Sequence, residues 1–284
     1  MLKRTQRHPI LLFLVLVTAL ATVGYGVALS SGQENVTVGI LIVQFSPMLA
    51  AFISALWCRR SLRGFGWTWR PWRYQFIAWA LPFLIALVSF SLIWLTGTAQ
   101  LDAGPFIAEA QEGLNEMFSV TLTSVSMTIL AVIAVNATIG LLVGFGAIGE
   151  ELGWRGFLTK ELMRRYSFAT TSIISGAIWA AYHYPLLIWI VAPQMGVSVW
   201  PLLLSSLLAG ICLTFILNWL RIKSGSVWTA IIFHAALNIH VQGFFENMTF
   251  ATTSIGKYIS GEYGFMIAAT CAVILLVSKL TKSI

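Results

Sequence analysis

The sequence predicts an all-α, polytopic membrane protein with about eight transmembrane helices around an intramembrane cavity. The 284 residues are 58% hydrophobic and only 10% charged, whereas soluble domains carry roughly 25% charged residues. The mean hydropathy is +0.85, and long apolar runs recur along the whole chain. Basic residues fall in alternate loops between these runs. No low-complexity linker divides the chain, so we expect a single integral membrane domain over 1–284.

The apolar runs define the predicted spans, because about 20 apolar residues cross a bilayer as a helix. The spans are 10–30, 38–57, 75–97, 122–149, 167–192, 198–220, 225–246 and 262–279. The first follows Lys3, Arg4 and Arg7, as in a signal peptide. Its apolar stretch is too long for one and no convincing cleavage site follows, so we expect a retained signal anchor.

The charges of the loops predict the orientation. One set of loops carries the basic clusters 3–7, 59–73, 160–165, 221–223 and 279–282; the other carries Glu34, Asp102, Glu109, Glu112, Glu116, Glu246, Lys257 and Glu262. Cytoplasmic loops are enriched in Lys and Arg. We therefore expect a multi-pass protein of the plasma (inner) membrane with both termini in the cytoplasm. The formal charge of +7 then indicates the lipid bilayer, not nucleic acid, as the partner.

Two loops have features beyond those of simple connectors. Residues 58–74 combine Trp67, Trp69 and Trp72 with five arginines, a composition typical of an interfacial membrane anchor. Residues 105–119 place apolar and acidic side chains on opposite faces at helical spacing, which predicts an amphipathic helix on the outer surface.

The first candidate functional cluster is Glu150-Glu151-Leu-Gly-Trp-Arg155. Ionisable groups inside a membrane are costly and usually serve a function. Residues four apart share a helix face, so Glu151 and Arg155 can form a pair, which leaves Glu150 as the freer acid. The alternative interpretation is a solvated pair at the membrane surface.

The second cluster comprises His183 and the pair His234 and Asn238. His234 and Asn238 are four residues apart, so one helix face presents an imidazole and a carboxamide that can both donate hydrogen bonds. Helix-to-helix hydrogen bonding is the alternative for this pair. His183 precedes Pro185, which frees a carbonyl near Ala181, and a lone histidine could merely satisfy that carbonyl.

Depth in the membrane connects the two clusters. A helix rises 1.5 Å per residue, so the number of residues from the nearest cytoplasmic basic residue gives the depth of a side chain. By this count His183 lies about 27 Å deep, His234 and Asn238 lie about 16 to 22 Å deep, and Glu150 lies at most about 21 Å deep. Three spans thus place their unusual polar groups in one layer, which favours one shared site. Glycines at 140, 144, 146, 149, 153 and 156 would let helices approach closely around it.

The three motifs together resemble the CPBP (Abi) intramembrane proteases, which include the type II CAAX prenyl endopeptidases. They are Glu-Glu-x-x-x-Arg at 150–155, aromatic-x-x-x-His at 179–183 and His-x-x-x-Asn at 234–238. The resemblance covers about 120–245. Trp179 stands where the family commonly has Phe, a departure expected to change packing more than chemistry.

The resemblance implies an endopeptidase that cuts a peptide or membrane-protein substrate near the cytoplasmic side of the membrane, with CAAX-type C-terminal processing as one form. The expected catalytic residues are Glu150, His183, His234 and Asn238. Glu150 and His183 would activate a water, and the other two would donate hydrogen bonds to the oxyanion.

Glu151 and Arg155 are expected to support the site, either by fixing the helix or by gripping a substrate carboxylate. We favour no metal or other cofactor. The alternative is a zinc enzyme with Glu150, His183 and His234 as ligands. A further alternative is a non-enzymatic membrane protein, such as an immunity factor, a scaffold or a small transporter.

The predicted orientation can be tested by cysteine labelling. After replacement of Cys58, Cys212 and Cys271, single cysteines are placed in 58–74 and, as a control, in the outer loop around 246–262. A membrane-impermeant thiol reagent added outside should label only the control, because charged loops do not change sides once inserted. Strong labelling within 58–74 would reverse the orientation.

Overall fold

The computed structural model describes residues 8–30, 33–69, 71–138 and 144–278. Within these residues, helices make up nearly all of the regular structure, which confirms the all-α class. Several residues used in the sequence argument lie outside the described ranges: Lys3, Arg4, Arg7, Arg70, Gly140, Lys279 and Lys282.

In the first half of the chain, the described residues form five helices and one short strand. They are α1 (Pro9–Leu29), α2 (Gln33–Trp57), α3 (Trp72–Leu95), β1 (Ala99–Leu101), α4 (Gly104–Phe118) and α5 (Val125–Thr138), with a 3₁₀ turn at Leu62–Phe65. Helix α4 is the predicted amphipathic helix: Leu114 is buried, and its acidic face, including Glu112 and Glu116, is exposed.

The second half contains three helices that change their winding. Helix α6 comprises Phe145–Glu151, π-helical Leu152–Leu158 and Thr159–Met163; α7 comprises Phe168–Leu186, π-helical Leu187–Val191 and Ala192–Met195; α9 comprises Trp228–His240, π-helical Val241–Phe245 and 3₁₀-helical Glu246–Met248. The remaining elements are α8 (Val199–Ser224), β2 (Thr249–Ala251), α10 (Gly256–Ile259) and α11 (Phe265–Ser278). Single π turns are frequent at functional sites.

Five of the described helices are long and apolar enough to cross a bilayer: α1, α2, α3, α7 and α8. Shorter apolar helices occur at Val125–Val135 and Phe265–Val277. The chain is therefore a multi-pass membrane protein. The fourth predicted span, 122–149, contains α5 and the start of α6, and 139–143 between them lie outside the described residues. The seventh contains α9, whose α-helical part has 13 residues.

The two short strands were not expected from the sequence. β1 pairs with β2 in antiparallel register, with Ala99 opposite Ala251. The pairing joins the segment after α3 to the segment after α9. It therefore ties together two parts of the chain that are far apart in sequence.

Glycines bring α6 against α2, as predicted for positions 149 and 153. A Cβ atom on Gly149 would lie 2.4 Å from the carbonyl oxygen of Gln44, and one on Gly153 would lie 2.4 Å from the Cβ of Pro47. No side chain can occupy that space without moving the backbone. The close approach holds the carboxylates that follow Gly149 inside the bundle.

Pro47 also explains how α2 is joined to α7. A proline inside a helix leaves the carbonyl four residues earlier without its helical donor. Here that carbonyl belongs to Val43, and it accepts hydrogen bonds from the hydroxyls of Tyr182 at 2.6 Å and Ser46 at 3.0 Å. Tyr25 of α1 donates to the carbonyl of Tyr182 at 2.9 Å. Three helices are thus connected one residue before His183.

Candidate active site

Glu150 lies in the interior of the bundle, at the end of the first α-helical part of α6. It is 5% exposed. Its Oε2 atom accepts hydrogen bonds from the indole N–H groups of Trp179 at 2.8 Å and Trp154 at 3.3 Å. The two neutral donors fix the direction of the carboxylate and leave its charge in place.

Glu151 and Arg155 form the predicted pair. Arg155 Nη1 donates to Glu151 Oε1 at 2.7 Å, and the two side chains are only 1% and 0% exposed. Arg155 Nη2 donates to the hydroxyl of Thr214 on α8 at 2.9 Å, and the guanidinium lies over the ring of Trp179, 4.6 Å from its centroid. A solvated surface pair is therefore wrong. The burial favours helix fixing over capture of a substrate carboxylate.

His234 is tied to the same carboxylate. Its Nδ1 atom donates to Glu151 Oε1 at 2.9 Å, so Glu151 bridges Arg155 of α6 and His234 of α9. The sequence suggested only the pair within α6. Because this contact occupies Nδ1, the imidazole of His234 has Nε2 left for a ligand.

His183 is oriented by its own helix. Its Nδ1 atom donates to the carbonyl oxygen of Trp179 at 2.9 Å, and not to the carbonyl near Ala181 that the sequence offered as an alternative partner. The Nε2 atom lies 3.8 Å from Glu150 Oε2. That separation is too long for a hydrogen bond, and a bridging water is the usual arrangement at such a distance.

Trp179 lies between the two histidines. Its ring centroid is 5.8 Å from that of His183 and 5.4 Å from that of His234, both in edge-to-face geometry. Its N–H is the 2.8 Å donor to Glu150. Trp179 thus adds to its packing a hydrogen-bond donor for the carboxylate that a phenyl ring lacks.

Asn238 follows His234 by one turn of α9. Its Oδ1 atom is buried and has no hydrogen-bond partner. This oxygen therefore does not join α9 to another helix, which was the structural alternative for the residue. A buried carboxamide with an unused acceptor is a group available to a ligand.

The arrangement does not assemble the zinc set named from the sequence. Among the described residues, no three His, Cys, Asp or Glu side chains lie close enough together to hold a metal ion. Glu150, His183 and His234 lie around Trp179; Glu150 Oε2 accepts two indole hydrogen bonds, and His234 donates through Nδ1 to Glu151, which leaves its Nε2 for a ligand.

Three participants were missed by the sequence reasoning. Trp154 could have been found, since it follows Glu150 by four residues and shares its helix face. Thr214 carries no sequence signal. Glu262 was expected to be an acid of an outer loop, yet it is 8% exposed and close enough to His183 and His234 for electrostatic interaction.

Known proteins resemble this part of the chain. Residues 133–240 match the family described as type II CAAX prenyl endopeptidase Rce1-like. We call residues 133–240 the Rce1-like region after this match. The CAAX prenyl protease 2 of Methanococcus maripaludis is 34% identical over 138 residues, which cover 46% of this chain and 46% of the relative. The chain thus matches about half the length of that relative. The resemblance inferred from the three motifs is confirmed, and all six site residues named from the sequence lie inside the Rce1-like region.

Because Glu151 contacts both Arg155 and His234, we predict that its negative charge is needed for the stability of the folded protein. Glu151→Gln leaves the buried guanidinium of Arg155 without a counter-charge, and loss of one partner of a buried pair typically costs about 3–5 kcal/mol. Glu150→Gln should cost far less, because a carboxamide oxygen still accepts the indole hydrogen bonds. Thermal unfolding of the purified variants in detergent measures the difference.

The control for this comparison is Glu112→Gln on the exposed face of α4, which should melt like the wild type. A Glu151→Gln protein as stable as the control would contradict the assignment of Glu151 as the central counter-charge.

Proposed function

We propose that this protein is an intramembrane endopeptidase that hydrolyses a peptide bond with a glutamate-activated water. The observation that carries the proposal is the 3.8 Å separation of Glu150 Oε2 and His183 Nε2 inside a buried site that also holds His234. A carboxylate and an imidazole at this distance can share one water. The Rce1-like family match supports the same chemistry class.

The first step is deprotonation of the water. His183 donates through Nδ1 to a backbone carbonyl, so a neutral ring presents the lone pair of Nε2 to the water. The water donates one hydrogen to Nε2 and the other to Glu150. Its oxygen lone pair is then directed at the substrate carbonyl carbon, and Glu150 takes the proton as the new C–O bond forms.

The oxyanion that develops is stabilised from α9. His234 is fixed through Nδ1 by Glu151, and as an imidazolium its Nε2–H donates to the oxyanion. The protonated ring also balances the charges of Glu150, Glu151 and Arg155, since two negative charges then face two positive ones. Asn238, one turn after His234 on α9, is the second donor through its side-chain amide N–H. Preorganised hydrogen-bond donors in a site that excludes water stabilise such an anion strongly.

Collapse of the intermediate completes the reaction. The C–N bond breaks, and Glu150 returns the proton it took from the water to the leaving amine. The acyl fragment leaves as a carboxylic acid that keeps the water's oxygen and second hydrogen, and transfer of that proton to the product amine gives a carboxylate and an ammonium group. Atoms and charges balance with water as the co-substrate.

An apolar cavity beside α9 supports a substrate with a lipid-like part. The cavity has a volume of about 760 Å³ and is lined by Trp79, Phe83, Ile133, Ile232, His240 and Phe244, among others. Ala236 and Ile239 of α9 also line it, and they neighbour Asn238 in sequence. A prenylated C-terminal CAAX peptide, the class that the relative's name indicates, has an apolar chain suited to this wall.

The charged loops support access from the cytoplasmic side, where the positive-inside pattern puts 58–74 and 221–223. The expected substrate is therefore a peptide or membrane protein whose scissile bond is presented from the cytoplasm. A zinc-dependent version, with Glu150, His183 and His234 as ligands, remains the mechanistic alternative. A non-enzymatic immunity or scaffold role is the alternative of a different class.

The central role of Glu150 can be tested by substitution. Glu150→Gln keeps the shape and the acceptors for Trp154 and Trp179 but cannot take a proton, so cleavage of a fluorescence-quenched prenylated CAAX peptide should fall to background. The matched control is Glu161→Gln, a buried glutamate of α6 that pairs with Arg60 and Arg164; it should retain turnover. A Glu150→Gln protein that cleaves the peptide at the wild-type rate would remove Glu150 from the mechanism, whereas a wild type that cleaves no peptide would favour the non-enzymatic role.

The oxyanion role of α9 separates the metal-free mechanism from the zinc version. Asn238→Ala should lower kcat by about 100-fold or more with little change in KM, because the hydrogen bond forms in the transition state. His234→Gln should keep partial activity through its amide donor. Both are measured by steady-state kinetics on the prenylated peptide, with the non-prenylated peptide as a substrate control.

A chelator series completes this comparison. Activity that survives chelator supports the glutamate mechanism. Activity lost in chelator and restored by zinc, with zinc bound by the wild type but not by His234→Gln, would establish the metal mechanism instead.

A further inference from the structure

Glu262 is a buried acid with no role in the mechanism above. It lies between α10 and α11, outside the Rce1-like region 133–240. Its Oε2 atom accepts a hydrogen bond from the side-chain amide of Gln242, in the π-helical part of α9. Its carboxylate interacts electrostatically with His183 and, less strongly, with His234 and Glu150. A second carboxylate thus lies within electrostatic range of the two histidines, and it shares a cavity wall with His183.

The backbone around Glu262 forms a tight turn. The N–H of Gly264 donates to the carbonyl of Gly261 at 3.0 Å, which closes the chain around Glu262 and Tyr263. Gly261 has a φ of 87°, a conformation that L residues rarely adopt. A Cβ there would also lie 2.2 Å from Glu246 Oε1. The turn is therefore held in one conformation that directs two polar side chains inward.

Glu246 anchors the same turn from the end of α9. Its carboxylate accepts a hydrogen bond from the backbone N–H of Glu262. The turn therefore has two acidic contacts with separate purposes. Glu246 binds its backbone, whereas the side chain of Glu262 extends toward the histidines.

A small cavity separates Glu262 from His183. Its volume is about 20 Å³, enough for one water by the same measure, which requires roughly 10–15 Å³. Its wall includes His183, Glu262, Tyr263 and Ser206. A buried water needs two to four polar partners, and the polar side chains of this wall are enough to supply them.

We propose that Glu262 is a further positioning residue of the site. Glu262, Tyr263 and Ser206 hold one water in the cavity beside His183, and that water contacts the C–H edge of the imidazole and keeps the ring in the orientation that faces Glu150. His183 is thereby held from two sides, by the carbonyl of Trp179 at Nδ1 and by the Glu262 water at the ring edge. The charged and titratable groups around the imidazole are Glu150, Glu262, His234, Tyr182 and Tyr263.

The kinetic part of the proposal rests on the proposed endopeptidase function, whereas the positional part does not. The test therefore has one readout for each part. The variants are Glu262→Ala, Glu262→Gln and, as the matched control, Glu246→Gln, which keeps an acceptor for the turn. Thermal unfolding confirms that each variant is folded, and Glu262→Gln provides a side chain of the same shape if the alanine variant does not fold.

The first readout is the imidazole ¹⁵N spectrum of the full-length protein labelled at histidine. The His183 signals are assigned by their loss in His183→Gln. We expect Glu262→Ala, and to a smaller extent Glu262→Gln, to shift the His183 signals, while Glu246→Gln leaves them in place. Unchanged His183 signals in both Glu262 variants, or equal shifts in the Glu246 control, would overturn the proposal.

The second readout is hydrolysis of the prenylated peptide. A misoriented catalytic group lowers turnover, so Glu262→Ala should reduce kcat by at least about 10-fold with KM changed by no more than about twofold. Glu262→Gln should recover part of this loss, because its amide still binds water. A kcat equal to that of Glu246→Gln would count against Glu262. If the Glu262 variants shift the His183 signals relative to the wild type, but the wild type cleaves no peptide, the endopeptidase function is rejected and the positioning of His183 is supported.

Discussion

The buried carboxylate of Glu151 is the interaction on which the site depends. One oxygen accepts from Arg155 at 2.7 Å and from His234 at 2.9 Å, so a single negative charge connects α6 with α9 and, through Arg155 and Thr214, with α8. In a medium of low dielectric constant an unpaired charge is far more costly than a paired one. The cost of separating these buried charges therefore holds α6, α8 and α9 in one register. That register positions the other groups of the site.

Aromatic residues set the geometry around this ionic centre. Trp179 donates to Glu150, packs against both imidazoles and lies under the guanidinium of Arg155. Trp154 supplies the second indole donor. Indoles combine a large apolar surface with one hydrogen-bond donor, which suits a site that must exclude bulk water and still orient a carboxylate. These donors and the nearby histidines surround the carboxylate of Glu150 with polar partners in the interior of the bundle.

Glycine and proline residues allow the helices around the site to approach one another closely. Gly149 and Gly153 let α2 contact the backbone of α6, and Pro47 releases the carbonyl of Val43 to bind Tyr182, next to His183. The turn at 261–264 closes the other side with Glu262. The site is thus supported by segments on both sides of the Rce1-like region, outside residues 133–240.

The sequence by itself determined the all-α class, most of the membrane helices, the Glu151–Arg155 pair and the clustering of Glu150, His183 and His234. These follow from local rules: apolar length gives the spans, i,i+4 spacing gives the pair, and counting residues from basic loops gives depth. Tertiary structure alone decided that Glu151 also binds His234, that Trp179 donates to Glu150 and that Glu262 faces the histidines. Each of these contacts depends on how one helix or turn is rotated toward another. That rotation is set by the packing of the whole bundle, and no local spacing in the sequence records it.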